Sequence, residues 1–252
     1  MKKLKIAISI DKNLLDLVDS RIDGSTIRSR SQAIEYFLEN GITEFAIDTA
    51  VILLSKRHHN VALKEFKGQS LIRHQLSFFS NNNILNVFLV TQRGYLVEKI
   101  EQEANKAGVN FRIIEKEAKG NAQALKSASD RIKGKSFVAM SGDIYNNFNL
   151  KQMIKKHNEN VKLMTMGLMT RDKPSEYGSA ILDGDLIIDF REKSEKKGTH
   201  VVNAGIYIFK PEIFEFLEEN IVSLERDLFP KIARIKQLVG FFTHGEYLHF
   251  GK

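Results

Sequence analysis

Residues 50–60 read Ala-Val-Ile-Leu-Leu-Ser-Lys-Arg-His-His-Asn: an unbroken apolar run, Val51 to Leu54, that turns abruptly polar. A short apolar run without alternation reads as a strand buried on both faces, as in a parallel sheet covered by helices. Such a strand commonly feeds a glycine-rich bend whose backbone amides approach a phosphate closely. Here the strand is present, but the bend that follows, Ser55 to Asn60, contains no glycine.

Working outward, the first strand spans 46–54, and further strands are expected near 84–91, 109–115, 136–142 and 162–170. Helical stretches fall between them, at 71–79, 96–107, 122–132 and 150–157. This alternation predicts an α/β domain, Rossmann-like and three-layered (α/β/α), with a mixed, mostly parallel sheet. After 170 strands dominate, with a turn at Leu182-Asp183-Gly184-Asp185. Helices follow from Pro211 to Glu219 and over 224–234.

Phe137-Val138-Ala139-Met140-Ser141-Gly142-Asp143 is a buried strand ending in a carboxylate. Ligands and metals sit at the carboxyl ends of strands in open sheets, although Asp143 is equally placed to cap a following helix. Lys119-Gly120-Asn121 opens a helix rich in small residues. Glu192-Lys193 ends a strand-like run and reads by itself as a solvated pair. The run Asn203-Ala204-Gly205-Ile206-Tyr207-Ile208-Phe209 comes next, and then Leu224-Glu225-Arg226-Asp227-Leu228-Phe229-Pro230-Lys231-Ile232-Ala233.

In this order, these stretches resemble the sugar nucleotidyltransferases, which join sugar phosphates to nucleoside triphosphates; the resemblance covers about 46–252. It implies that Asp143 binds Mg2+, the one cofactor an active enzyme would need. It also implies that Glu192, Lys193, Asn203 and Gly205 hold the sugar phosphate. Gly120 lines the base and sugar pocket, and Asn121 and Gly178 complete the nucleotide- and sugar-binding set. The chain departs from the family in two places. The bend after the first strand lacks the family's glycines, and Lys64 is off register from the family lysine, so Lys56, Arg57 and Lys64 are left to supply charge to a triphosphate. In the closing strand His249 stands where the family carries a second magnesium-binding Asp, and neutral imidazole is a poor magnesium ligand. Grouping His58, His59 and His249 as a transition-metal site is the alternative to packing or surface roles, which are commoner for histidine. These departures imply a weak or lapsed enzyme.

The first forty residues read differently. Leu4, Ile6, Ile8 and Ile10 alternate with Lys3, Lys5, Ala7 and Ser9, as on a strand with one apolar face. Two amphipathic helices follow, the first capped by Asp11 and ended by Gly24. The second opens at Ser29-Arg30-Ser31-Gln32 and is closed by Gly41. This segment resembles the ribbon-helix-helix DNA-binding family over its full length. The resemblance implies that two copies pair their strands and set Lys3, Lys5, Ala7 and Ser9 into the major groove of double-stranded DNA. Phosphates would meet the amides of Ser29 to Ser31, with Arg28 and Arg30 beside them. A dimerisation arm that never touches DNA is the plainer alternative.

The chain of 252 residues is 42% hydrophobic, enough for a sizeable core, and has no cysteine. That fits a cytoplasmic setting. Asp11 and Lys12 cut short the apolar run at the amino terminus, which argues against a targeting segment, and no run is long enough for a membrane span. The net charge is +7, and residues 1–44, with seven basic and seven acidic side chains, contribute none of it. An anionic partner is therefore expected for the larger part.

The expectation is two domains, 1–44 and 45–252, and a homodimer through 1–44 with a tetramer as a further assembly. The leading function is a DNA-binding transcriptional regulator whose inactive transferase-like domain senses a sugar phosphate or nucleotide sugar. The alternative is an active sugar-phosphate nucleotidyltransferase dimerised by its amino-terminal domain.

Overall fold

The computed structural model describes residues 4–45, 47–132, 134–193 and 199–251. The chain divides into two compact units, Met1–Ala46 and Ile47–Lys252.

The first unit holds α1 (Lys12–Asp19) and α2 (Arg30–Phe45). The Asp11 carboxylate caps α1 by accepting from the amides of Asn13 and Leu14 at 2.9 and 3.4 Å. In the connecting turn, one Asp23 carboxylate oxygen accepts from the amides of Ser25, Thr26 and Ile27. Gly24 takes a left-handed φ of 75° there. The Ser29 hydroxyl accepts from the Gln32 amide at 3.3 Å, opening α2.

Two expectations fail in this unit. Residues 4–10 form no strand, because one chain offers no neighbour to complete the ladder. Lys5, Ala7 and Ser9 are exposed there, and Lys3 lies outside the described residues. Gly41 does not close α2. It is not among the left-handed glycines, and the helix runs through it to Phe45. The arginines assigned to phosphate are engaged internally: Arg30 Nε donates to Asp19 at 2.8 Å, and Arg28 Nε donates to the Ser25 carbonyl at 2.9 Å.

The second unit carries the strands β1 (Thr49–Leu53), β2 (Glu65–Phe66), β3 (Gln69–Ser70), β4 (Asn86–Thr91), β5 (Asn110–Glu115), β6 (Phe137–Ser141) and β7 (Ile144–Asn147). They continue with β8 (Met164–Thr170), β9 (Gly178–Asp183), β10 (Leu186–Glu192), β11 (Val201–Phe209), β12 (Leu238–Phe242) and β13 (Glu246–His249). The helices are α3 (His59–Ala62), α4 (Leu71–Ser80), α5 (Val97–Ala104), α6 (Asn121–Lys126), α7 (Leu150–Glu159) and α8 (Phe229–Arg234). Nine strands form the main sheet in the order β5-β4-β1-β6-β11-β8-β12-β10-β9.

From β5 to β6 every pairing is parallel, linked by helical crossovers. Beyond β6, only β8 and β12 pair in parallel, so the sheet is mixed rather than mostly parallel. The tight turn at Gly184, with φ 58°, explains part of this, since β9 and β10 form a hairpin across it.

Alternation along β1 feeds two cores. Val51 joins Phe137, Tyr207 and Phe229 on one face, while Ala50 and Ile52 join Leu89, Met140 and Ile206 on the other. No helix among the described residues is long and apolar enough to cross a membrane.

His157 ties α7 to this sheet. Its Nδ1 lies 2.9 Å from Thr165 Oγ1, and its Nε2 lies 3.3 Å from Ser136 Oγ. Burial, aided by the Lys210 charge, lowers its pKa from 6.5 to about 4. A buried histidine held neutral binds its proton less readily than the unfolded chain does. Its contribution is therefore fully present above pH 6.5 and falls as pH drops toward 4. At about 1.4 kcal/mol per pKa unit the loss is about 3 kcal/mol. Urea unfolding at stepped pH should show this decline, and His157→Gln should flatten the profile over that window while lowering stability at pH 7.

Candidate active site

The carboxyl ends of β1 and β6 meet at one point. The Gly142 amide donates to the Leu53 carbonyl at 2.8 Å. A Cβ at Gly142 would stand 2.8 Å from Leu54 Cβ, so only glycine lets the two ends come this close. Asp143 follows immediately, flanked on its other side by β7. Gln75 of α4 braces the bend by donating to the carbonyls of Ser141 and Ile144 at 3.0 and 2.7 Å. β13 pairs antiparallel with β7, with His249 opposite Ile144, and the Phe250 amide donates to the Asp143 carbonyl at 2.8 Å.

Two imidazoles converge on the Asp143 carboxylate. His58 Nδ1 lies 3.0 Å and His249 Nε2 3.4 Å from the same oxygen, Oδ2. The Gly251 backbone presses on that oxygen, since a Cβ there would be 2.2 Å away. Burial raises the Asp143 pKa, but the His249 contact and the charges of His249 and His58 outweigh it, and the net shift is downward. Burial also lowers the His58 pKa below 6.5, with Asp143 opposing and Arg57 adding to the drop.

The bend after β1 is helical rather than an open cradle. Three of its amides are engaged within the protein: Lys56 N donates to Gln92 Oε1 at 2.7 Å, and His58 N donates to the Ser55 carbonyl at 2.9 Å. The His59 amide donates to the Lys56 carbonyl. His59 turns inward, 2.7 Å from Thr91 Oγ1, under a Gly94 whose Cβ would collide with its ring. Of the three histidines grouped from sequence, His58 and His249 therefore come together, and His59 is a packing residue. Lys56, Arg57 and Lys64 are exposed. Lys64 Nζ sits 5.2 Å over the Phe250 ring, beside the closing strand.

A second group of polar residues forms around the ends of β10 and β11. Glu192 pairs with Gly178, and a Cβ at Gly178 would be 2.7 Å from Glu192 Oε2. Burial raises the Glu192 pKa, and the nearby Glu225 raises it further, against Lys193 and Arg226. Lys193 takes a left-handed φ of 44°. Gly205, φ 69°, shifts the register of β11 between Asn203 and Tyr207. Across that bulge, Asn203 Nδ2 donates to the Tyr207 hydroxyl at 2.8 Å.

Asn121 Nδ2 donates to both oxygens of Glu225, and its Oδ1 accepts from the Leu224 amide. It therefore acts as a brace for the widened turn Leu224–Leu228. Gly120 fits against Val222, whose carbonyl would be 2.4 Å from a Cβ there. Glu225 and Tyr207 received no role from sequence, although both lie in quoted motifs. A polar residue inside an otherwise apolar strand was the available signal for Tyr207.

A separate cleft lies at the opposite, amino-terminal strand ends, bordered by Asp48, Asn86, Asn110, Arg112, Arg131 and Lys135. It contains none of these groups, and some of its polar side chains pair with one another, as Asn110 does with Asn86 at 3.0 Å.

Residues 51–239 match the family model described as nucleotidyl transferase. The chain is 28% identical over 198 residues to a mannose-1-phosphate guanyltransferase of Saccharomyces cerevisiae, covering 75% of this chain and 55% of that one. It is 30% identical over 196 residues to a mannose-1-phosphate guanylyltransferase catalytic subunit beta of Drosophila pseudoobscura, covering 75% and 53%. The chain thus spans about half the length of the curated relatives it matches.

Among solved structures, HddC from Yersinia pseudotuberculosis superposes with TM-score 0.69 at 20% identity, over 81% of this chain and 94% of that one. The inositol-1-phosphate CTP transferase from T. maritima gives TM-score 0.68 at 18% identity, over 81% and 89%. At these identities the likeness shows the fold, a mixed α/β nucleotidyltransferase fold of Rossmann-like type.

These findings overturn the expectation of a DNA-binding transcriptional regulator with an inactive transferase-like domain. The relatives are named as transferases, and they favour the alternative reading. The lean toward a lapsed enzyme, drawn from the missing glycines and from His249, is not supported by relatives that are named as transferases.

Because Gln75 bonds the carbonyls on both flanks of Asp143, Gln75→Leu should remove that partner from Ser141 and Ile144 and cost about 1–3 kcal/mol. Thermal or urea unfolding reads this directly.

Proposed function

Since the chain belongs to the nucleotidyl transferase family, we propose that it transfers a nucleotidyl group to a sugar 1-phosphate. In this reaction an acceptor phosphate oxygen attacks the α-phosphorus of a nucleoside triphosphate. The new bond forms as the bond to the β-phosphate oxygen breaks, and pyrophosphate leaves. Mannose 1-phosphate and GTP are the first pair to test, from the names of the relatives. The reading is carried by one observation: Asp143 lies half-buried at the carboxyl end of β6, where open sheets take their ligands.

In this reading Glu192 and Asn203 orient sugar hydroxyls, and Lys193 meets the acceptor phosphate. Gly178, Gly205 and Gly120 keep the pocket walls close, with Asn121 holding one wall through Glu225. Lys56, Arg57 and Lys64 attract the triphosphate with side-chain charge, because the bend's amides at Lys56, His58 and His59 are engaged elsewhere. The family resemblance implies Mg2+ at Asp143. The donors beside it do not suit that ion: one carboxylate is flanked by two imidazoles, whereas magnesium takes oxygen ligands.

The test is turnover with a panel of nucleoside triphosphates and sugar 1-phosphates. Nucleotide sugar and pyrophosphate should appear in equal amounts. Asp143→Asn and Glu192→Gln should each lower kcat/KM by about 100-fold or more. Absence of pyrophosphate release with every pair ends the reading.

We further propose that the first unit assembles with a second copy of the chain. Leu4, Ile6 and Ile8 are 83%, 76% and 56% exposed at alternate positions, and α1 buries no residue. A two-helix segment that leaves such a face in water is stable only when the face is covered. Light scattering should report a dimer, and Ile6→Asp with Ile8→Asp should shift it to monomer. A wild-type monomer at tens of micromolar would refute the assembly.

A further inference from the structure

The cleft at the amino-terminal strand ends stands apart from Asp143, which follows a carboxyl end. β1, β4 and β5 run side by side there, with Thr49, Asn86 and Asn110 in register and, two residues on, Val51, Phe88 and Arg112. Residues two apart share a strand face, so these side chains lie on the face that carries Val51 and Val90 into the core. The apolar packing stops short of the strand starts: Val90 is buried, but Phe88 and Asn86 are half-buried and Arg112 is exposed. A parallel sheet ordinarily has both faces covered. Here residues 130–132 and 135–136 stand across from the strands, and a cavity of about 350 Å3 lies between. Small-molecule sites measure roughly 300–1,000 Å3.

The lining supplies three kinds of group. Arg112 comes from one wall and Arg131 from the other, and neither guanidinium has an ion pair or side-chain hydrogen bond among the described residues. Lys135, by contrast, is 4.0 Å from Asp48, whose carboxylate also accepts from the Thr49 hydroxyl at 2.8 Å. Two unpaired guanidiniums on one cavity suit a phosphate, which they grip through paired N–H donors. The half-buried Phe88 ring offers a stacking surface. Asn86 Oδ1 accepts from Asn110 Nδ2 at 3.0 Å, which fixes both amides, and each amide keeps donor and acceptor capacity beyond that bond. Asp130 also lines the cavity. Its carboxylate matches an N–H on a base and opposes a longer phosphate chain.

We propose that this cleft binds a nucleoside monophosphate, with Arg112 and Arg131 on its phosphate and Phe88 against its base. A bare anion would use the arginines alone and leave the aromatic ring and the amides without a role. The inference does not rest on the transferase reading, because none of these residues lies at the carboxyl strand ends.

The experiment uses the full chain in titration calorimetry with AMP, GMP, CMP and UMP, and with inorganic phosphate. At least one nucleotide should bind at least about tenfold more tightly than inorganic phosphate. Arg112→Ala with Arg131→Ala should abolish one site for that nucleotide or weaken it at least about tenfold, even if another site persists at the carboxyl strand ends. Phe88→Leu should weaken the nucleotide about fivefold or more and leave inorganic phosphate unchanged.

No binding of any of the four nucleotides, equal affinity for inorganic phosphate, or wild-type stoichiometry and affinity in the folded double variant would each overturn the proposal. If the double variant does not fold, Arg131→Ala alone decides, since that side chain is exposed on a turn: unchanged nucleotide affinity there refutes it. Turnover at Asp143 is not read in any arm, so failure here leaves the transferase reading standing.

Discussion

Everything at this site depends on how closely the ends of β1 and β6 approach. Gly142 has no Cβ to hold Leu54 away, and its amide reaches the Leu53 carbonyl. A carboxylate placed directly after such a contact is left largely, though not wholly, withdrawn from water, at 16% exposure. An unpaired buried charge would cost several kcal/mol, so something must face it. The bend after β1 supplies His58, and the β7–β13 pairing supplies His249. One backbone contact thus fixes the acid, and the acid in turn requires what surrounds it.

The main strands were legible because their signal is local. The runs of β1 and β6 are apolar without alternation, and both proved to be interior strands. Asp143 stood out because it follows an apolar run, whereas Glu192 and Asn203 were singled out only by the family resemblance. What was not legible is long-range. Nothing in Gly245 to Gly251 says that it will pair with 144–147 and set an imidazole against Asp143. Likewise Glu225, whose charge bears on Glu192, is set in place by Asn121, over a hundred positions earlier. The bend after β1 lies between these cases. Its lack of glycine was plain, but its winding into a helical turn that engages its own amides was not.

The first unit shows where pattern reading overreached. Alternating apolar residues, a cap at Asp11 and another at Ser29 describe two helices and a partnerless face, and the helices are there. Outward lysines then made DNA attractive as the partner. A lysine on a strand, however, fits any anion and any solvated edge, since edge strands carry lysine to prevent unwanted pairing. Arg28 and Arg30, assigned to phosphate, are tied within the unit. The family of the larger unit, not the charge pattern of the smaller one, is what the comparisons show.

The two substrate halves of the proposed reaction would be gripped unequally. Amides in a glycine bend are fixed dipoles, already aimed before the ligand arrives. Exposed lysines and arginines are not; they attract an anion over about 8 Å at physiological salt but hold it in no single geometry. Lys56 and Arg57 belong to this second kind. On the other side, Glu192 is held over Gly178, Asn203 is bonded to Tyr207, and Asn121 is bonded to Glu225. Removing Asn203 or Asn121 leaves Tyr207 or Glu225 without this partner, so these pairs resist displacement. Orientation in such an enzyme would therefore come chiefly from the sugar, with the triphosphate drawn in by charge and aligned late. Discrimination among sugars should then be stricter than discrimination among triphosphates, because a pocket of interlocked polar groups rejects a missing hydroxyl far more strongly than a diffuse positive surface rejects one base for another.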